Sequence, residues 1–248
     1  MSQPAAAALA PLPFELVLDD GEPLESEWHS LELPYLRDLL RQAMVDQGRT
    51  DFYVGGNMFV YYSVQQARDV FEEMTKGLEW KAFRGPDVFW VGGVDPNRRR
   101  EAWISWEEDG RLPDVIVELL SPKTAKKDRT EKRDLYARVF RTAEYFLYDP
   151  ETRELEGLRL EGWAYRPIPP DESGRLRSEQ LGVALGLWNG TVEGRQGEWL
   201  RLFRPDGTLV PTEAEAARQR AEAERQRAEA AEAEVARLRA LLEERDQG

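Results

Sequence analysis

Apolar residues recur at helical spacing from Glu27 to Met44, where Leu33, Leu36, Leu39, Leu40 and Ala43 fall on one stripe. That stripe predicts a helix, with Pro34 in its first turn, where a missing N–H costs least. After Gly48 the period changes. Phe52-Tyr53-Val54 and Met58-Phe59-Val60-Tyr61-Tyr62 are rich in aromatic and β-branched residues. They predict β-structure interrupted by Gly55-Gly56-Asn57. Val64 to Met74 fits a short helix or a loop. Two apolar runs then echo one another: Pro86-Asp87-Val88-Phe89-Trp90-Val91 and Pro113-Asp114-Val115-Ile116-Val117-Glu118-Leu119-Leu120. Each is entered through Pro-Asp, and proline is tolerated at the first residue of a strand. Runs this continuously apolar suit central strands covered on both faces.

Ser121-Pro122 ends the second run. Asp128 to Phe140 predicts a helix with Asp128, Lys132, Leu135, Tyr136 and Val139 along one side. Glu144 to Tyr148 predicts another strand, stopped by Asp149-Pro150. Strand, helix and strand over 112–148 form a crossover unit. Leu155–Leu160, Trp163–Ile168 and Trp199–Phe203 predict shorter antiparallel strands between Gly- and Pro-rich turns. The fold class is therefore α/β, a mixed sheet flanked by helices. From Thr212 the chain is nearly all Ala, Glu, Arg, Gln and Leu. Ala214, Ala217, Ala221, Glu224, Ala228, Ala231, Val235, Leu238 and Leu242 trace a heptad-like seam whose apolar strength lies at its end. The expected organisation is an arm over 1–13, a domain over 14–210 and a charged helix over 211–248, either solvated alone or weakly self-associating as a coiled coil.

Composition narrows the function. The net charge of −13 disfavours binding of nucleic acid over a broad basic face. A local basic groove stays open, with Arg98-Arg99-Arg100 and Lys123 to Arg133 as the dense basic stretches before the tail. The absence of Cys excludes disulfides and thiolate metal sites, and accords with a cytoplasmic protein. No apolar run reaches the ~18 residues of a membrane span. The Ala- and Pro-rich start lacks the basic region of a signal peptide.

The chemistry gathers at one residue. Alternate strand residues share a face, so Asp114, Ile116 and Glu118 point the same way. Glu118 stands inside an apolar strand, where a carboxylate is costly unless it is paired or bound to a cation. Asp87, at the mouth of the preceding run, offers a second carboxylate, and two acids side by side need a proton or a divalent cation between them. Oxygen-only donors favour Mg2+ or Mn2+. Lys132 could neutralise the carboxylates or stabilise charge on a phosphoryl oxygen. Residue chemistry leaves open a purely structural Glu118–Lys132 ion pair. His29 is the single histidine, which excludes a multi-histidine metal site. Ser121 lacks a base partner for a Ser-His-Asp hydrolase.

The order Pro86-Asp87, apolar strand, Pro113-Asp114 to Thr124 with Glu118 inside it, then Asp128, Lys132, Tyr136 and Glu144 to Pro150, resembles the PD-(D/E)XK nuclease superfamily. More narrowly it resembles the Uma family of restriction endonucleases, which Val54 to Tyr62 also matches. The resemblance covers most of residues 14–210 and excludes the tail. It implies a restriction-endonuclease-like fold, DNA as substrate, and Asp87 and Glu118 as magnesium ligands that activate water against a phosphodiester. The superfamily places Lys two positions after Glu118, where this chain has Leu120. The expected replacement is Lys132 reaching over from its helix, with Lys123 in the loop a poorer candidate. Family members have acids and a histidine near the first helix, where Glu27 and His29 stand; an acid there could help hold metal, or His29 is a polar helix-start residue in solvent. Asn57 either orients a site carboxylate or makes a turn, and Asp114 either joins Glu118 or caps its strand. Asp128 and Tyr136 are hydrogen-bond partners behind the carboxylates, or helix surface and core. Double-strand cleavage would accord with a homodimer or oligomer. The alternative is a catalytically degenerate nuclease-fold module that binds or regulates and oligomerises through its C-terminal helix.

Overall fold

The computed structural model describes residues 12–18, 26–78, 82 and 85–246, the last eight by backbone alone. The expected arm lies outside these, apart from Leu12 and Pro13. Eleven strands are described: β1 Phe52–Gly56, β2 Val60–Tyr61, β3 Val88–Gly92, β4 Trp103–Ile104, β5 Val115–Leu119, β6 Glu144–Asp149, β7 Glu154–Glu161, β8 Ala164–Pro167, β9 Leu176–Arg177, β10 Ala184–Val192 and β11 Arg195–Phe203. Six of them form a mixed sheet in the order β1-β3-β5-β6-β7-β8. Strand β5 runs antiparallel to β3 and parallel to β6. The two echoing apolar runs are therefore neighbours at the sheet centre, buried at every position.

Parity along β5 divides the core. Val115, Val117 and Leu119 face helix α1, Glu27–Asp46, and pack with its Leu33, Leu36, Leu39 and Leu40. Ile116 faces the other side, with Tyr145 and Leu147 of β6, and meets Tyr136 and Phe140. Glu118 has the parity of Ile116 and is directed toward that second layer. The expected mixed sheet, flanking helices and long C-terminal helix are all present.

Three elements differ in detail. Pro34 lies inside α1 rather than in its first turn. It is tolerated because Pro34 and Ser30, whose carbonyl loses its donor, are both exposed to solvent. Val64–Thr75 is a helix, α2, capped by Ser63, whose hydroxyl accepts from the Gln66 N–H at 3.1 Å. Strand β11 is nine residues long and pairs along its whole length with β10, which the sequence pattern missed. Gly186, Asn189 and Gly190 dilute the β signal of β10.

The β10–β11 hairpin packs on α1 and buries a second acid. Glu32 is fully buried; its Oε1 accepts from the Leu200 N–H at 3.1 Å, and its Oε2 has no partner. Burial pushes its carboxyl up to about 8, against the opposing Leu200 hydrogen bond and Arg201 charge. A carboxyl raised in the folded state favours folding most below its unfolded value, 4.5, and that stability is lost as pH rises toward 8. Glu32→Gln should therefore flatten this fall and be more stable than the parent at pH 8.5 by on the order of several kcal/mol. Denaturant melts at pH 5 and 8.5 measure it; equal pH slopes in the two proteins would refute the assignment.

The C-terminal helix, Glu213–Asp246, begins with a reciprocal cap. Thr212 Oγ1 accepts from the Glu215 N–H at 3.1 Å, and Glu215 Oε2 accepts from the Thr212 N–H at 2.8 Å. Glu215 also pairs with buried Arg201 at 3.0 Å, which ties the first turn to β11. From residue 221 to 238 every position is exposed, Val235 and Leu238 included. The side chain of Leu242 lies outside the described residues.

Candidate active site

The site forms where β5 ends and β3 begins. Asp87 stands just before β3, and two neighbours hold it. The Asn57 N–H donates to the Asp87 carbonyl at 3.0 Å. A Cβ on Gly56 would lie 2.9 Å from that same oxygen, so only glycine lets β1 approach it so closely. The Asp87 carboxylate accepts from the Leu119 N–H at 2.7 Å, and its own N–H faces Glu118 Oε2 at 3.3 Å. Asp87 is thus tied to the end of β5 twice, at the Glu118 carboxylate and at the Leu119 N–H.

The other half of the site comes from the helix over 125–140, which crosses from β5 to β6. Its α turns, Ala125–Lys127 and Arg133–Leu135, alternate with wider π turns, Asp128–Lys132 and Tyr136–Phe140. In a pure α-helix, residues four apart drift by ~40° per step. The wider i→i+5 turns absorb that drift. Asp128, Lys132 and Tyr136 thereby stay on one side, facing Glu118. Lys132 Nζ lies 3.0 Å from Glu118 Oε1 and 2.8 Å from Asp128 Oδ1. The Tyr136 hydroxyl donates to Glu118 Oε1 at 2.9 Å. The Tyr145 hydroxyl donates to the Asp128 carbonyl at 3.1 Å, which braces the helix against β6.

Three carboxyls thus surround one lysine. Burial pushes the Glu118 carboxyl well above the usual range; Lys132 opposes this, while Asp87 and Asp128 add to it. Asp87 is raised by burial too, opposed by Lys132 and the Leu119 N–H. Burial alone would loosen the Lys132 proton, but Glu118, Asp128 and Asp87 hold it more tightly than water does. Tyr136 is pushed up by burial and by Glu118, and stays a donor. Two adjacent carboxyls favour a proton or a cation between them, and their donors are hard oxygens. Among the described residues no three His, Asp or Glu side chains converge as a complete metal cage. A cation at Asp87 and Glu118 would complete its shell with water and substrate oxygens, as Mg2+ commonly does.

His29 reaches the same place from α1. The Leu119 carbonyl can only accept, so His29 Nε2 donates to it, at 2.9 Å. Nδ1 lies 2.8 Å from Ser26 Oγ. His29 is buried, unlike a solvated residue at a helix start. Beside it opens a cleft of about 460 Å³ lined by His29, Leu120, Ser121, Lys123 and Glu151 among others. Glu27 does not join the site; it is exposed and pairs with Arg195. Asn57 turns its side chain to solvent, with φ 47°, and contributes its backbone alone. Asp114 lies at the opposite end of β5, where its carboxylate accepts from the Gly92 N–H at 2.8 Å. Arg98 and Arg100 are engaged by Glu107 and Glu108. Sequence reasoning missed Tyr145 and the Leu119 peptide. Tyr145 was within reach of strand parity, because it opposes Ile116 in the β5–β6 register.

A family model described as "Uma2: Putative restriction endonuclease" matches residues 18–193. Among solved structures, a crystal structure from Anabaena variabilis, described as a putative nuclease belonging to DUF820, is similar at 12% identity. The match has a TM-score of 0.43 and covers 66% of this chain and 81% of that one. No curated protein matches. Among the described residues no helix is long and apolar enough to cross a membrane.

Proposed function

The chain belongs to the Uma2 family, and from that premise we propose that it is a Mg2+- or Mn2+-dependent endonuclease that hydrolyses DNA phosphodiester bonds. The observation that supports this best is Lys132 Nζ on the crossover helix, 3.0 Å from Glu118 Oε1, within reach to serve for the lysine that Leu120 replaces. Asp87 and Glu118 would hold the metal. When bound, the ion supplies a Lewis acid and lowers the pKa of attacking water. The chain's own residues do the rest. Lys132 stabilises negative charge on the phosphoryl oxygens as it develops. Tyr136 fixes the Glu118 carboxylate by its hydrogen bond, and Asp128 fixes the Lys132 ammonium. His29 and the Leu119 peptide hold Asp87 and the end of β5 in register.

Calorimetric titration of Mg2+ and Mn2+, with plasmid cleavage alongside, tests the reading. The parent should show saturable binding and nick or linearise DNA, and Asp87→Asn should lose both. Intact plasmid at every metal concentration, together with no metal binding even when DNA is present, would overturn it.

A further inference from the structure

The crossover helix has a second charged face, away from Lys132. It borders a groove of about 280 Å³ between the helix and the β7–β8 hairpin, lined by Arg129, Arg133, Arg138, Trp163 and Tyr165 among others. The hairpin turns through Gly162, φ 61°, and Trp163. Turn tips ordinarily hold small or polar residues, yet Trp163 is 70% exposed, the most exposed of the large apolar side chains described. The Arg141 guanidinium covers its ring at 4.1 Å from the centroid. Arg141 is fixed in turn by its hydrogen bond to the Ala137 carbonyl at 3.2 Å. Tyr165, buried beneath, donates to the Thr142 carbonyl at 2.9 Å and gives the groove a rigid floor.

Two arginines along this groove stand apart from the ion pairs that hold others in the fold. The chain has 47 acidic residues against 34 Lys and Arg, and Arg100, Arg159, Arg201 and Arg204 each have a carboxylate partner. Arg129 follows that habit and pairs with Glu156 at 2.8 Å. Among the described residues, Arg133 and Arg138 pair with no carboxylate. Asp134 is the acid that lines the same groove. Pinning the hairpin to the helix would need only the Arg141–Trp163 stack, and would not leave two further arginines unpaired.

We propose that this groove binds a single-stranded segment of nucleic acid, with one base stacked on the open face of Trp163 and the flanking phosphates at Arg133 and Arg138. An exposed indole beside unpaired guanidinium groups suits a base and its phosphates, because every base has a face to stack and each phosphate takes two parallel N–H donors. Arg138 lies six residues beyond Lys132, ~9 Å along the helix axis. A strand held here lies along the outer face of the helix whose inner face carries Lys132. The proposal rests on the nuclease reading for its choice of polymer and adds to it a contact remote from the chemistry.

Fluorescence anisotropy of a labelled oligothymidylate with the full chain in EDTA tests the groove, with a duplex of equal length as comparison. The parent should bind the single strand more tightly. Trp163→Ala should weaken binding by about 5- to 150-fold, the range of one lost base stack, and Trp163→Phe should recover most of it. The Arg133→Gln/Arg138→Gln double variant should lower the salt slope by about 1.4, for two lost phosphate contacts on a single strand. Unchanged affinity and slope in these variants, tighter binding of duplex, or no binding by the parent would each overturn the proposal. Plasmid cleavage by the same proteins separates the two readings. Cleavage with groove variants that bind normally removes the groove alone. Groove-dependent binding without cleavage in any metal removes the nuclease reading and leaves the groove.

Discussion

Glu118→Gln should lower metal-dependent cleavage by more than about a hundredfold and leave the metal-free fold as stable as the parent or more so. Both halves follow from one arrangement. Changing even a hydrogen-bond partner behind a metal ligand commonly costs 10- to 100-fold, so removing a carboxylate ligand should cost more. The folded state, by contrast, bears the burden of a fully buried acid among two others, and its raised pKa records that burden. A Gln oxygen can still accept from Tyr136 and Lys132, as Glu118 Oε1 does at 2.9 and 3.0 Å. Its amide nitrogen replaces Oε2, so the Asp87 N–H gives up its 3.3 Å acceptor, and the amide N–H donates instead to the Asp87 carboxylate beside it. Lys132 retains Asp128 at 2.8 Å. A site under selection for chemistry accepts strain that a purely structural pair would not, so activity and stability should move in opposite directions. Plasmid cleavage and thermal melts in EDTA read the two together. A variant that melts well below the parent would mark Glu118 as a structural anchor, and one that still cleaves would remove it from the mechanism.

How much of this was legible in the sequence depended on whether a residue broke a local pattern. Glu118 stood out because it interrupts an apolar strand, and Asp87 because it repeats the Pro-Asp entry one strand earlier. The crossover from β5 to β6 was legible from two apolar runs with a helical stretch between them, which placed Lys132 over the sheet. Glu32 and Glu144 are equally buried acids and went unseen. Glu32 lies in a helix with charged residues nearby. Glu144 begins its strand, where an acid breaks no alternation. Its burial comes from Arg159 at 3.1 Å and the Glu179 N–H at 2.8 Å, partners set by tertiary packing. Glu27 and Asp114 show the reverse failure. Glu27 came from the family resemblance and Asp114 from strand parity, yet one faces Arg195 and the other sits at the far end of its strand. Parity fixes the face of a residue but not its height on the sheet. The π turns had no sequence signal, although they align Asp128, Lys132 and Tyr136.

Lys132→Met separates the structural from the catalytic share of that lysine. Lys132 is the ammonium nearest to three carboxyls, with Glu118 at 3.0 Å and Asp128 at 2.8 Å, in a place where it is only 14% exposed. Breaking a buried pair by removing one partner costs about 3–5 kcal/mol, because the other charge is left without compensation. The loss should depend on pH. Lys132 lowers the proton affinity of both Glu118 and Asp87, so without it their folded pKa values rise further above the unfolded ones. Carboxyls raised in the folded state favour folding at low pH and lose that stability as pH rises. The deficit of the variant should therefore be small at pH 4 and grow toward pH 8. Adding Glu118→Gln should restore part of it, since the double variant leaves fewer charges behind. Saturating Mn2+ should also restore folding, by mass action on a site that now has more need of positive charge. Cleavage should stay low under that rescue, because Mn2+ held by Asp87 and Glu118 does not replace an ammonium facing the phosphoryl oxygens. Urea melts of the single and double variants in EDTA and in Mn2+, with cleavage measured on the refolded protein, distinguish the two roles. Full cleavage by the metal-rescued variant would make Lys132 a structural counter-charge and no part of the chemistry.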